Sequence, residues 1–587
     1  MPLMGSLYIG TSGLQTSQNA LNTTAHNLSN VDTVGYTRQQ VQLSDKSYIT
    51  LSVDPKSVAN KQTGLGVVYS RAKQVRDYFL DKTYRRESGR SMFYEVSTEV
   101  MEEVESQLGE LNGEAFQETI SDLWTSIQEL TKDPCSSVTQ GLLVQRASEF
   151  VERAAAVYDG LSSYQNNLNI QIKQQVDKIN DYGNKLLTLN DQIRAIEVGG
   201  IEHANDLRDA RNQILDELAE LTNMSFEEDM YGNVSVKIEG VDFVKGGTCY
   251  EISLQTDETT GFYTPYWPQN ASYRVMDDGT RQYNIDGAEV FDLSIEISSD
   301  LSTDIGGLKA MLLARGDHRA DYGDIKSGNY DSVSQSVIMN VQAEFDQLVH
   351  NVTTKINDIL MVAAGVQKGD LTNVTLADGT VIPDEEMKNV RYAKADSNGY
   401  MRGEDGSPIQ LFTKITTEGY QKVTATDAEG NTGEYWVYVE EDLGKPESMY
   451  SVKNLEINQE LMQKPSTLGF RLPDGSEDNA TAEALKAAFS EEAYTLNPNV
   501  QKKTSFIDYY DDLVAQIANS GYVYRSIYEN QVTTVESTQS AREQVVGVSS
   551  DEELSNMIKF QNAYNASSRY INVISEMLEH IINTLGV

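Results

Sequence analysis

Cysteine is almost absent from this chain. Cys135 and Cys249 stand 114 positions apart in 587 residues, which supports neither a disulfide framework nor a zinc site, so both are expected to be free thiols. Histidine is scarce too. His26, His203, His318, His350 and His580 are the whole set, and no two have a metal-ligand spacing. Positive charge is in deficit, with 47 Lys and Arg against 88 Asp and Glu, a net charge of −41. Such a surface repels nucleic acid and anionic membrane, which removes both as expected partners. No apolar run approaches the ~20 residues a membrane helix needs. The opening Met1-Pro2-Leu3-Met4-Gly5-Ser6 lacks a basic n-region and an apolar h-region, so no cleaved secretory peptide is expected. His-Glu-x-x-His, Gly-x-x-x-x-Gly-Lys and Gly-x-Ser-x-Gly are all missing, and Gly64-Leu65-Gly66 lacks the rest of a dinucleotide fingerprint. Asp396-Ser397-Asn398-Gly399 reads as a hairpin turn, because Gly403 stands where the later ligands of a calcium loop should begin. No cofactor, metal or catalytic role is expected.

What is present is ordinary globular material, 39% hydrophobic and 8% aromatic, in a chain long enough for several domains. From Val75 to about Leu221 the apolar period is helical. Val96, Val100, Val104 and Leu108 make one stripe, Phe116 to Leu130 the next, and Pro134 ends it. A long run over roughly 137–198 stops at Gly199-Gly200, and a further helix covers about 205–221. Residues 222–300 switch to period two around Tyr231-Gly232-Asn233, Asp278-Gly279 and Asp286-Gly287. Helix returns at 307–315 and about 332–363. A second β stretch spans roughly 370–450, and a last helical run starts at Phe506. The spacing predicts an α+β multidomain protein: a long antiparallel helical bundle with coiled-coil terminal helices, and β-rich domains inserted in the middle of the chain. The boundaries read as 1–45 with 545–587 for a terminal helical domain, 46–365 with 500–544 for a bundle carrying a β subdomain at 222–300, and 366–499 for an inserted β-rich outer domain. Trp267 and Trp436, in the β stretches, are expected to be packing residues more than a sugar platform.

The two ends organise the rest. Met557, Phe560, Tyr564, Ile571, Ile574, Leu578, Ile581 and Leu585 keep the three-and-four spacing of a coiled-coil seam. At the other end Leu7, Leu14, Leu21 and Leu28 recur every seven residues, with small residues Gly10, Ser17 and Thr24 between them. These sequence-distant helices are expected to pair. Each is marginal alone, so order is expected to depend on neighbouring subunits. After the first helix, Asn30, Asp32 and Gly35 supply stop-and-turn chemistry.

The stretch Leu14–Leu21 leads into His26-Asn27-Leu28-Ser29-Asn30-Val31-Asp32-Thr33-Val34-Gly35-Tyr36-Thr37-Arg38-Gln39. It resembles the N-terminal signature of the bacterial flagellar axial proteins. Val546–Leu554 and Ile558–Ser568 resemble that family's closing helix, and Asn205–Arg211 a further family element. The Tyr-Thr-Arg-Gln extension is closest to the hook-associated members at the hook–filament junction. The resemblance implies a non-catalytic structural adaptor joining hook to filament and nucleating filament assembly. It implies export through the flagellar apparatus without a cleaved peptide. The partners it implies are further copies in a ring, hook protein, a second junction protein, flagellin and an export chaperone. Asn27, Asn30, Gly35, Tyr36, Arg38 and Gln39, with the two apolar stripes, are the candidate assembly residues. A hook or distal-rod protein is the alternative within the family. A secreted glycan-binding or adhesive protein using Trp267 or Trp436 is the alternative outside it.

Overall fold

The computed structural model describes the chain apart from residues 1, 34, 53–60, 110–115, 200–202, 277–280, 327, 329, 377, 396–400, 473 and 586–587. The turn readings at Asp278-Gly279 and Asn398-Gly399 lie outside the described residues. Helix α1 (Pro2–Ser29) is followed by strands β1 (Gln39–Asp45), β2 (Ile49–Ser52), β3 (Lys61–Thr63) and β4 (Val67–Gln74). Strands β1 and β4 form an antiparallel ladder that lies against α1. Asp45 pairs with Val67, so the expected boundary at 45/46 cuts one ladder, and the segment to 74 goes with the terminal helix.

Helices α2 (Tyr78–Gln107), α3 (Phe116–Lys132), α4 (Ser137–Glu197) and α5 (Asn205–Leu221) come next. Asp77 caps α2, accepting from the amides of Phe79 and Leu80, and Ser136 caps α4, accepting from Val138. At 1.5 Å per residue, α4 is about 90 Å long. Its buried stripe, Leu143, Ala147, Phe150, Ala154, Val157, Leu161, Leu168, Ile172, Val176, Ile179 and Leu186, makes it the spine of the body. A four-stranded antiparallel sheet leans on it: β5 (Met224–Glu228), β6 (Val234–Ile238), β7 (Val241–Lys245) and β8 (Thr248–Cys249). Two-stranded ladders of β9 (Ser253–Thr256) with β10 (Tyr263–Tyr266), and β11 (Ser272–Val275) with β12 (Arg281–Asn284), follow. Three asparagines on α4 stand in for strand partners. Asn190 donates to Val234 O (2.9 Å) and accepts from Val234 N (3.1 Å). Asn180 does the same with Ile252, and Asn169 donates to Gly261 O and accepts from Tyr263 N. Steps of eleven and ten residues keep the three on one helix face, so the β segment is pinned by backbone hydrogen bonds that would otherwise be left unsatisfied.

Helices α6 (Gly307–Arg315), α7 (Tyr322–Lys326), α8 (Tyr330–Val333) and α9 (Val337–Ala363) complete the bundle. The insert holds β13 (Gln367–Gly369), β14 (Thr372–Leu376), β15 (Val381–Ile382), β16 (Val390–Lys394), β17 (Phe412–Lys414), β18 (Tyr420–Thr426), β19 (Thr432–Tyr438) and β20 (Leu455–Ile457), then α10 (Gln459–Gln463) and α11 (Asn479–Ser490). Six strands form an antiparallel sheet in the order β13-β16-β19-β18-β14-β15, with its own small core of Leu371, Val374, Tyr392, Val423 and Tyr435. The remainder is not an outer β domain, which is what period two over 366–499 suggests. Leu411, Phe412, Tyr450, Leu461, Leu468, Phe470, Leu485 and Phe489 enter the same core as α3, α4 and α9. Asn357 of α9 ties this segment down, donating to Phe412 O and accepting from the amides of Leu411 and Phe412. Short apolar runs between turns look alike whether they cover a separate sheet or a helical bundle. Trp267 is fully buried beside Phe243, which removes it as a sugar platform, and Trp436 is half-buried in β19.

The last two helices are α12 (Phe506–Val546) and α13 (Ser550–Leu585). α12 runs antiparallel to α2, and α13 runs antiparallel to α1. Among the described residues, no helix is long and apolar enough to cross a membrane.

Candidate functional site

The seam between α1 and α13 is built differently from the leucine stripe expected on α1. Leu7, Leu14, Leu21 and Leu28 are only half-buried. The residues that face α13 most deeply are the small ones. Gly10, Gly13, Ser17, Ala20, Thr24 and Asn27 step by 3, 4, 3, 4 and 3, and all but Gly13 are buried. A Cβ on Gly10 would lie 2.7 Å from Ile571 Cγ1, and one on Gly13 would lie 2.8 Å from Ser567 Oγ. Small residues let the helix axes approach until the larger side chains of α13 fill the groove. The leucines were the louder signal, but they flank the contact. On α13, Ile574 is buried, and Met557, Phe560, Tyr564, Ile571 and Leu578 are half-buried. Ile581 is exposed, and the side chain of Leu585 lies outside the described residues. Outside the seam, Leu554, Ile558, Val573, Met577 and Ile582 are exposed along α13.

Where α1 ends, the chain turns back and locks four segments together. Asn30 donates to His26 O (2.9 Å), and Gly35 takes φ +80°, a conformation glycine adopts at low cost. Tyr36–Gln39 then passes beside Asn27. The Asn27 carboxamide accepts from Tyr36 OH (2.8 Å) and Gln39 N (3.0 Å), and donates to Gln39 O (2.8 Å) and Glu553 Oε2 (3.2 Å). All the hydrogen-bonding capacity of a 1% exposed side chain is thereby used. Tyr36 OH also meets His26 Nδ1 at 2.9 Å. Burial, then the neighbouring Asp209 carboxylate, push the Tyr36 hydroxyl well above its ordinary value, so it stays a neutral donor. Arg38 is the sole Lys or Arg in the first 45 residues. Its amide donates to Val546 O (2.9 Å), its carbonyl accepts from Val75 N (2.9 Å), and its guanidinium pairs with Glu552 and Glu553, each at 2.9 Å. Glu553 is 2% exposed.

Behind this knot, Asp209 at the start of α5 accepts from Thr37 N (3.2 Å) and Gln74 Nε2 (2.8 Å). A chain of alternating charge then runs into the body. Arg76 pairs with Asp81 (2.5 Å), Asp81 with Arg542 (3.0 Å), Arg542 with Asp216 (2.6 Å), and Asp216 with Arg85 (2.6 Å). Burial works against the charge of Arg542, but Asp216 and Asp81 outweigh it and raise its pKa. A cleft of about 730 Å³ opens between this chain and the turn, with Tyr84, Glu220 and Gly547 on its walls. The arrangement is mechanical. It sets the direction in which the terminal pair leaves the body.

The structure therefore brings Asn27, Asn30, Gly35, Tyr36, Arg38 and Gln39 together. Glu553, Asp209, Gln74 and Arg542 were not legible as site residues. The signal for Glu553 was present: three acidic residues, Asp551, Glu552 and Glu553, in the first turn of α13, and one lone arginine at the other end of the chain to match them.

Comparison with known proteins follows the same map. The helical domain described as "Flagellar hook-associated protein FlgK helical domain" matches residues 101–372. "Flagella basal body rod protein" matches 7–37, and "Flagellar basal body rod FlgEFG protein C-terminal" matches 540–584. The chain is 24% identical over 584 residues to flagellar hook-associated protein 1 of Bacillus subtilis, covering 98% of this chain and 97% of the relative. It is 24% identical over 593 residues to that of Salmonella typhimurium, covering 97% and 98%. Over nearly its full length the chain is similar to the flagellar hook-associated proteins. It is a structural component of the bacterial flagellum. The flagellar hook junction protein FlgK from Burkholderia pseudomallei superposes with a TM-score of 0.49 at 13% identity, over 80% of this chain and 100% of that one. Both terminal matches of this chain meet in space at the knot: the 7–37 match ends at Thr37, and the 540–584 match contains Arg542, Val546 and Glu553.

Proposed function

We propose that this chain is the adaptor subunit that joins hook to filament and nucleates filament assembly. The observation that carries this reading is the α1–α13 pair. It is an antiparallel helix pair sealed on its inner seam, yet its outer face keeps Leu554, Ile558, Val573, Met577 and Ile582 in solvent. An apolar face of that length is a cost for a monomer and a contact surface for an assembly. Copies packed side by side in a ring would cover it, with the terminal pairs as an inner layer, the bundle around them and the β segments outside. Hook protein would meet the ring on one side, and the second junction protein and flagellin on the other. In this reading an export chaperone holds the free chain, and the flagellar export apparatus passes it without a cleaved peptide. Its action is assembly, not catalysis.

The test is deletion of the gene, with electron microscopy of the cells and an assay of flagellin in the medium. Hooks without filaments, and flagellin lost to the medium, are expected. Loss of the hook as well would make the chain a hook or rod protein. Normal filaments would overturn the junction reading.

A further inference from the structure

The chain passes between its terminal part and its body only twice, at 75–77 and at 547–549. The two crossings lie side by side, because Arg38 N donates to Val546 O (2.9 Å) and Arg38 O accepts from Val75 N (2.9 Å). The knot itself lies on the terminal side. Asn27, Tyr36, Gln39, the Arg38 guanidinium and Glu553 all bond one another there. Asp81, Arg85, Asp216 and Arg542 lie on the body side. Apolar packing does not join the two. Among the described residues, none of α1, β1, β4 or α13 enters the body core, and none of these elements lies along a body helix.

One carboxylate does most of the joining. Asp209, on α5 of the body, accepts from Thr37 N at Oδ2 (3.2 Å) and from Gln74 Nε2 at Oδ1 (2.8 Å). Thr37 leads into β1 and Gln74 ends β4, so a single side chain holds both strands of the terminal ladder. Asn205, one turn earlier on α5, adds a second tie to β4, accepting from Gln74 Nε2 at its carbonyl (2.9 Å) and donating to Ala72 O (3.4 Å). Space flanks Asp209 on both sides. The cleft of about 730 Å³ lies towards Tyr84, Asn212 and Gln539, and a second of about 280 Å³ lies between His26, Tyr36, Asp206 and Gln213. Close packing would fix an angle. Hydrogen bonds at the rim of two clefts exchange with water at small net cost. At the second crossing a Cβ on Gly547 would lie 2.5 Å from Glu543 O, so the chain leaves α12 with no side chain in the way. We propose that the terminal helices, their knot and the β1–β4 ladder swing on the body as one rigid unit, and that Asp209 is the catch that holds the angle seen here. A few residues at the ends of elements take up the motion, as in other hinged domains. The hinge is a property of the free chain and does not rest on the ring reading.

The test is double electron–electron resonance on the full-length chain, with Cys135→Ser and Cys249→Ser removing the native thiols. Nitroxide labels are carried by Val573→Cys on α13 and Val198→Cys at the end of α4, both exposed positions. At 1.5 Å per residue Val573 stands about 36 Å beyond the joint, so a swing of about 20° carries its label about 12 Å. The expected result is a main distance with a minor second one. Asp209→Ala should raise the ratio of the second to the first about tenfold, the factor that corresponds to ~1.4 kcal/mol for two lost hydrogen bonds. Asp209→Asn, which keeps one acceptor oxygen, should fall between. A second label pair, Gln18→Cys with Val573→Cys, spans the two terminal helices and should keep one distance in every variant. An unchanged distance from 198 to 573 in Asp209→Ala would overturn the catch. Broadening of the 18-to-573 distance in the same variant would show the helices parting, not swinging, and would overturn the rigid unit.

Discussion

Asn27 is the residue on which the joint turns. Its carboxamide satisfies the amide and carbonyl of Gln39, the hydroxyl of Tyr36 and one oxygen of Glu553. Asn27→Ala leaves these groups buried without partners and should destabilise the turn by about 3 kcal/mol. Hydrogen exchange at the Gln39 amide should rise steeply, while exchange in α4 stays unchanged. Asp346 in α9 makes a second residue-scale case, this time inside the body. It is fully buried and accepts from Val452 N (2.6 Å) and Tyr322 N (3.0 Å). Burial pushes its carboxyl up from the ordinary 3.8 to about 7. A raised carboxyl binds its proton more tightly in the folded state. Its contribution is therefore full below pH ~4 and is lost as pH rises to ~7. Denaturant unfolding should show Asp346→Asn losing stability less steeply than the native chain between those pH values.

Among the elements, the α1–α13 pair shows what a helix face made of small residues does. Gly13→Leu adds a branched side chain whose Cβ alone would lie 2.8 Å from Ser567 Oγ. The helices must separate, at a cost of about 1–3 kcal/mol, and protease sites in 550–585 should open while the body resists. Leu14→Ala, on the flank of the seam, should have a smaller effect, because Leu14 is only half-buried. The reverse order would return the seam to the leucine stripe. The β segment on α4 buries Val236, Ile238, Phe243 and Trp267 in the same core as that helix, and polar side chains of α4 add to the hold. Asn169, Asn180 and Asn190 hold it through its backbone.

Taken whole, the molecule is a body with one continuous core running from Phe93 to Ile517, and a terminal helix pair that stands outside that core. The two meet at the Arg38–Glu553 knot and the charge chain behind it. A chain cut to residues 75–546 should therefore keep a cooperative thermal unfolding transition close to that of the full protein. It should also fail to restore filaments in the deletion strain. A large fall in the unfolding temperature would show that the terminal pair stabilises the body, and would overturn this division.

Much of this was determined by the sequence alone, because helices report themselves through local periodicity. The extents of α4, α5, α6 and α12 follow from apolar spacing and, for α4, from Pro134 before it and Gly199-Gly200 after it. The family follows from motifs at the two ends. Only the tertiary structure decided the rest, for one reason: contacts between residues hundreds of positions apart leave no local pattern. Asn27 meets Glu553 across 526 positions and Arg85 meets Asp216 across 131. The small-residue stripe on α1 was visible in the sequence, but only the partner helix makes it the seam. The insert after 366 reads as a separate β domain because alternating residues look the same on a free sheet and on one whose neighbours join a helical core.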